Sequence, residues 1–237
     1  MAWFPLRLEE VRAETPIDRT LVWAPVAPAD ATALVWQPGQ FLLLRDPTSG
    51  IAGQRAYSLS VADYGAARPA ITVRDMGRYG AWWFRRAAGH VAEGSAPRGR
   101  FVMDLDSCDR MVLLAAGSGV APFRAFLEAW ERAGRPMPLV LLQSARVPAE
   151  LVFAQRFAEA AGHPAFTWQP TVTRAADDDT WQGRRGRIDA AWISSALGTA
   201  QAPRVYACGP DAFVQAALAG ARAAGVADER LHHEAWG

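Results

Sequence analysis

The chain has little that would commit it to a metal cluster, a membrane or a polyanion. Only two cysteines occur in 237 residues, Cys108 and Cys208. Two thiols build neither a disulfide framework, nor a four-cysteine zinc site, nor an iron–sulfur cluster. No run of about 18 apolar residues is present, which excludes a membrane-spanning helix. The opening MAWFPLRLEE lacks the basic stretch and apolar run of an export signal. An excess of one charge is also missing: 25 basic residues face 24 acidic ones, for a net charge of +1. That balance argues against a nucleic-acid partner, which needs clustered phosphate-neutralising cations. What is present, 51% hydrophobic and 21% charged residues, is ordinary globular usage. A soluble cytoplasmic protein is expected, with chain enough for one large domain or two modest ones.

The pattern changes near the middle. From Trp3 to about Asp106 the apolar segments are short: Thr20–Trp23, Gln40–Arg45, Ala56–Ser60, Ala70–Arg74 and Arg100–Met103. Clusters of Pro, Gly and Asp separate them, as in a small barrel or sandwich. Ala81–Ala88 interrupts as a short helix. After Cys108, strands alternate with helices. Met111–Ala115 is a continuous apolar run suited to a parallel strand covered on both faces. Phe123, Phe126, Leu127 and Trp130 follow at helical spacing, opened by Pro122 and stopped by Gly134. Leu139–Gln143, Phe166–Val172, Arg204–Ala207 and Leu231–Trp236 read as further strands. Pro148–Ala161, Asp189–Leu197 and Asp211–Ala224 read as helices. This alternation predicts an open, mostly parallel α/β sheet. Two domains are expected, residues 1–107 and 108–237.

Three motifs are candidates for chemistry. Gly117-Ser118-Gly119 leaves the first parallel strand and leads through Pro122 into a helix. Such a turn lets a ligand approach the backbone, and the helix offers free N–H groups to an anion; alternatively it is a tight packing turn. Cys208-Gly209-Pro210 ends a later strand at the same sheet edge, and there Cys208 is either a buried structural thiol or part of the same crevice. Arg55-Ala56-Tyr57-Ser58 places Arg55 and Tyr57 on one face of a strand and Ser58 on the other. An arginine grips a diphosphate and a tyrosine ring lies along an aromatic cofactor; the plain alternative is an edge strand with a core tyrosine. Two tempting features are set aside. His232 and His233 are adjacent on a strand and face opposite ways, so they make no metal site, and the Trp82–Phe84 aromatics read as core.

In this order, and with Pro38-Gly39-Gln40-Phe41, Pro97–Phe101 and Glu234-Ala235-Trp236, the motifs resemble the ferredoxin–NADP reductase superfamily of flavin oxidoreductases. The resemblance runs from about Phe4 to Trp236. It implies a six-stranded antiparallel Greek-key β-barrel that holds flavin, then an α/β domain with a five-stranded parallel, Rossmann-like sheet for NAD(P). Arg55 would bind flavin phosphates, Tyr57 would pack on the isoalloxazine, and Ser58 would reach flavin N5. The family's Gly-x-x-Ser/Thr turn reads Gly77-Arg78-Tyr79-Gly80 here, without the hydroxyl. Backbone N–H groups of residues 80 and 81, with Arg78, would hold phosphate instead. FAD is expected rather than FMN.

The same resemblance assigns Gly117, Ser118, Gly119 and Pro122 to the pyridine-nucleotide loop, with Ser144 and Arg146 as the next contacts. Cys208, with Gly209 and Pro210, would lie beside nicotinamide C4. Glu234 and Trp236 match the C-terminal acidic and aromatic positions near the flavin. Thr173 and Arg174, with Arg184, Arg185 and Arg187 nearby, would suit a ribose 2′-phosphate; the plain alternative is a solvated loop balanced by Asp177–Asp179. NADPH or NADH is the expected donor. Ser58, Cys208 and Glu234 would be the catalytic groups of a hydride transfer that needs geometry more than a base, with donor and acceptor atoms about 3–3.5 Å apart. With no iron–sulfur ligands in the chain, the acceptor would be a separate protein such as a ferredoxin or a Rieske-type oxygenase, docked through the basic stretch at Arg184. Two alternatives remain: a free-flavin reductase, and a non-catalytic subunit on the same fold.

Overall fold

The computed structural model describes residues 2–62, 65–106, 108–174 and 180–236. The chain divides into two compact units. One comprises Met1–Met103 with Ala121–Ala129, the other Asp104–Val120 with Trp130–Gly237. The expected boundary at residue 107 falls outside the described residues.

The first unit is built from β1 (Trp3–Ala13), β2 (Asp18–Pro25), β3 (Phe41–Arg45), β4 (Arg55–Ser58), β5 (Ala70–Arg74), helix α1 (Gly77–Phe84) and β6 (Val91–Ser95). Its antiparallel order is β4-β3-β6-β1-β2-β5. An isolated bridge between Leu59, just past β4, and Ile71 of β5 joins the two outer strands and closes the barrel. Closure removes the exposed edges that an open sheet would leave for misassociation. Alternate positions point inward: Leu6, Leu8, Leu42 and Leu44 are fully buried, together with Leu21, Trp23, Ile71 and Trp83. Trp23 and Trp83 meet edge to face at 5.9 Å. The Trp82–Phe84 aromatics thus supply a core anchor, as their sequence suggested.

The second unit contains β7 (Arg110–Ala116), the end of α2 (Ala121–Arg132), β8 (Leu139–Ala145), α3 (Ala154–Ala160), β9 (Phe166–Val172), β10 (Arg184–Arg185), α4 (Ala190–Leu197), β11 (Pro203–Pro210), α5 (Asp211–Ala223) and β12 (Leu231–Trp236). The strands are parallel in the order β10-β9-β8-β7-β11-β12. β7 and β8 are apolar at nearly every position because both faces are covered. The chain winds outward from β7 through β8 and β9, then returns to β11 on the other side. The order therefore reverses between β7 and β11, the place where sheets of this kind bind ligands. No helix among the described residues is long and apolar enough to cross a membrane.

Several expectations are corrected. Arg100–Met103 is not a strand. Gly99, at φ +114°, turns the chain, and Phe101 packs on the rings of Phe123 and Phe126 at 6.1 and 5.8 Å. The short helix runs over Gly77–Phe84 rather than 81–88, which brings Trp83 onto the core face. Pro148–Ala161 is broken, because Leu151, Val152 and Phe153 are all buried and three consecutive residues cannot share one helical face. Phe153 accordingly takes φ +60° before α3 begins. The two-residue β10 makes the parallel sheet six-stranded rather than five-stranded. β1 and β6, absent from the sequence reading, complete the barrel.

Candidate functional site

In the first unit the register sets the face of each side chain. Tyr57 opposes Leu42 and Arg55 opposes Leu44, whereas Ser58 opposes Phe41. Tyr57 is half-buried against the core, and Arg55 on the same face is exposed. Burial is the largest cause that pushes the Tyr57 hydroxyl upward, so it stays neutral despite Arg55. The Arg55 guanidinium stands 5.0 Å from the ring centroid of Tyr79, in the first turn of α1. Two further ties join that turn to the segment before β4. Arg78 Nη2 donates to the Gly50 carbonyl at 3.3 Å, and the Tyr79 hydroxyl donates to the Ala52 carbonyl. Arg55, Tyr57 and the start of α1 are thereby assembled in one place.

The start of α1 fits a diphosphate, with one correction. Met76 at the N-cap makes no side-chain cap, so the first N–H groups of the helix are available to an anion. With the helix beginning at Gly77, these belong to residues 77–79; the N–H groups of residues 80 and 81 already lie in the helical ladder. Gly80 has a different role. A Cβ there would fall on the Arg74 carbonyl oxygen, so the family's hydroxyl side chain would require the backbone between β5 and α1 to shift. Arg74 itself is anchored through Nε and Nη2, at 2.9 and 3.0 Å, to the fully buried Asp18 carboxylate. Thr15 Oγ1 donates to the same carboxylate at 2.7 Å.

In the second unit the candidates gather at the carboxyl ends of adjacent strands. Gly117, at φ +57°, Ser118 and Gly119 form a tight 3-10 turn after β7; Pro122, further along the chain, is buried in the first turn of α2 and belongs to the first unit. Cys208 of β11 lies in register between Ala115 of β7 and Glu234 of β12. Pro210 pairs with Trp236. A Cβ on Gly119 would collide with the Cys208 carbonyl, and one on Gly209 would come within 2.9 Å of the Phe213 ring. The thiol of Cys208 is fully buried. Burial first, then the carboxylate of Glu234, raises it well above its ordinary value near 9.0. It is a neutral group at the carboxyl end of the sheet, not a thiolate nucleophile.

The next strands extend this edge. Ser144 of β8 lies in register with Ala116 of β7 and Thr171 of β9. Beyond it, Thr173 N–H donates to the Ala145 carbonyl at 3.0 Å and Arg174 N–H to the Arg146 carbonyl at 2.8 Å. Arg146, Thr173 and Arg174 are thus neighbours. Arg184 is differently engaged: it lies 4.1 Å over the Trp192 ring and pairs with Asp189 at 3.3 Å. Arg185 donates to the Trp181 carbonyl at 3.1 Å. Asp177–Asp179 lie outside the described residues. His232 stacks on Tyr206 at 4.6 Å, and no metal-binding cluster occurs among the described residues. Sequence reasoning missed Tyr79, although it stood inside the glycine turn already singled out. It also missed Gln143, a buried polar residue in an apolar strand, whose Nε2 donates to the Val152 carbonyl at 2.9 Å.

A closed antiparallel barrel, followed by a parallel sheet whose glycine turn abuts a buried cysteine at the strand-order reversal, defines a two-domain pyridine-nucleotide oxidoreductase architecture. The model of the oxidoreductase NAD-binding domain matches residues 113–218. Ferredoxin–NADP reductase B of Sorangium cellulosum is 31% identical over 220 residues, covering 89% of this chain and 88% of that protein. The reductase component DmpP of phenol 2-monooxygenase from Pseudomonas sp. is 32% identical over 188 residues, 77% of this chain; the match spans about half of that relative, 52% of its length. The fold resembles that of a ferredoxin NADP+ reductase from Neisseria gonorrhoeae solved with FAD and NADP, with a TM-score of 0.84, 24% identity and 99% of each chain covered. The chain belongs to the ferredoxin–NADP reductase superfamily of flavin oxidoreductases.

Proposed function

We propose that this protein is a cytoplasmic flavin-dependent reductase that takes hydride from NADPH or NADH onto FAD and delivers electrons to a separate redox protein. Residues 1–107 serve as its flavin domain and residues 108–237 as its NAD(P) domain. The observation that carries the reading is the packing of Gly119 on the Cys208 carbonyl, beside Glu234, at the point where strand order reverses. It leaves a backbone-lined edge for a dinucleotide, with a neutral thiol and a carboxylate next to it.

When bound, the flavin supplies the two-electron to one-electron conversion that pyridine nucleotide performs poorly. Arg55 and Arg78, with the N–H groups of residues 77–79, hold the diphosphate. Tyr57 presents its neutral ring to the isoalloxazine, and Ser58 offers a hydrogen bond at N5. Gly117, Ser118, Gly119 and Pro122 seat the nucleotide, supported by Ser144. Cys208 and Glu234 orient the nicotinamide, with Gly209, Pro210 and Trp236 completing the wall. Arg146, Thr173 and Arg174 face the adenosine end, where they receive a ribose 2′-phosphate. The acceptor is an external protein, as for relatives that are reductase components of oxygenases.

An absorbance scan of the purified protein tests this. Visible flavin absorbance that bleaches on adding NADPH or NADH supports it. A second reading, a free-flavin reductase, is favoured by one observation: at the phosphate-turn position Gly80 the backbone lies against the Arg74 carbonyl, where the family's hydroxyl would stand. Colourless protein that oxidises NAD(P)H only with added flavin would select that reading. No colour and no activity with flavin would leave a non-catalytic subunit.

A further inference from the structure

Arg146 leaves the carboxyl end of β8 already committed to an acid. Its Nε lies 3.3 Å from Oε2 of Glu150; the carboxylate side chain is only 16% exposed, the arginine 46%. Glu150 is fixed on both sides. It closes a 3-10 turn over Pro148–Glu150, where its N–H donates to the Val147 carbonyl at 3.0 Å. Immediately after it, buried Leu151, Val152 and Phe153 are pinned by Gln143, whose Oε1 accepts from Trp168 Nε1 at 2.9 Å. Arg174 joins Arg146 through the backbone. The edge that would read the adenosine ribose therefore contains two arginines and one largely buried carboxylate.

We propose that Glu150 is a specificity-determining residue that biases the site against NADPH relative to NADH. The inference rests on the pyridine-nucleotide reading above. A 2′-phosphate must take Arg146 from Glu150 and bring its own charge beside that carboxylate. Both effects oppose NADPH and neither touches NADH, so the site discriminates partly by repulsion. A carboxylate at this edge also accepts a hydrogen bond from an unphosphorylated ribose. The half-exposed arginine keeps the effect modest, on the order of a two- to fivefold change in preference.

The test is Glu150→Gln, which keeps the side-chain size. Two ratios are read: kcat/KM for NADPH over NADH, and, without turnover, the Kd of 5′-AMP over that of 2′,5′-ADP by titration calorimetry. Both should rise by roughly two- to fivefold. The rise should be smaller in the background of Arg146→Ala, because one of the two effects acts through that arginine. Unchanged or falling ratios, or a gain undiminished without Arg146, would overturn the assignment. Failure of the unaltered chain to bind either adenine nucleotide would instead remove the nucleotide reading, and this inference with it.

Discussion

Gly119 packs so closely on the carbonyl of Cys208 that no side chain fits between the glycine turn and β11. The two residues are 89 positions apart, yet one lies in the turn just after β7 and the other near the carboxyl end of β11, the two strands that flank the strand-order reversal. Gly119→Ala must push backbone against backbone, which a rotamer change cannot relieve. We expect a loss of about 1–3 kcal/mol in denaturant stability and at least tenfold weaker binding of pyridine nucleotide. Urea melts and NADP+ titrations check this; an alanine variant with native affinity would show that the turn does not shape the site.

That contact also marks what the sequence made legible. The strand–helix alternation after Cys108 follows from continuous apolar runs and helical spacing, which are local signals. The juxtaposition of Arg55 and Tyr57 follows from period two alone. The roles of Gly80 and Glu150 were not readable, because each depends on a partner placed by the fold: the Arg74 carbonyl for one, Arg146 across a broken helix for the other. The break is itself non-local, since Leu151–Phe153 had the right composition for a helix until burial of all three was required. Likewise β6 and β10 carry too few apolar residues to announce themselves, and are strands only because β1, β3 and β9 lie alongside.

Restoring the family's hydroxyl should therefore fail. Gly80→Ser places a Cβ onto the Arg74 carbonyl, next to the buried Asp18 pair. The expected result is lower stability, by about 1–3 kcal/mol, and weaker rather than tighter flavin retention. Flavin released on dilution, followed by its fluorescence, measures the second effect. Tighter retention with unchanged stability would contradict the packing.

Thr173 and Arg174 provide the complementary test at the other cofactor. Replacing both by Ala should raise half-saturation by NADPH roughly three- to tenfold, the range for loss of charge-assisted bonds at an exposed edge. NADH should be spared, since it carries no 2′-phosphate. Equal losses with both nucleotides would show that these residues shape the loop rather than read the phosphate.

The thiol of Cys208 makes the last prediction, on pH. Its folded-state pKa is raised above its ordinary value near 9.0, by burial first and by Glu234 second. The sign is fixed by linkage: the unfolded thiol ionises first, so the stability it contributes is full below about pH 9 and is lost as pH rises further. The slope for one proton approaches about 1.4 kcal/mol per pH unit. Cys208→Ala removes this group while Cys108, Tyr57 and Tyr206, all raised as well, remain in both proteins and cancel in the comparison. The stability gap between the parent and Cys208→Ala should be constant from pH 7 to about 8.5 and should narrow steadily up to about pH 10.5 in urea denaturation. A gap that stays constant across that window would mean that the thiol ionises as readily in the folded protein as in the open chain, and Cys208 would then be no neutral wall for a nicotinamide.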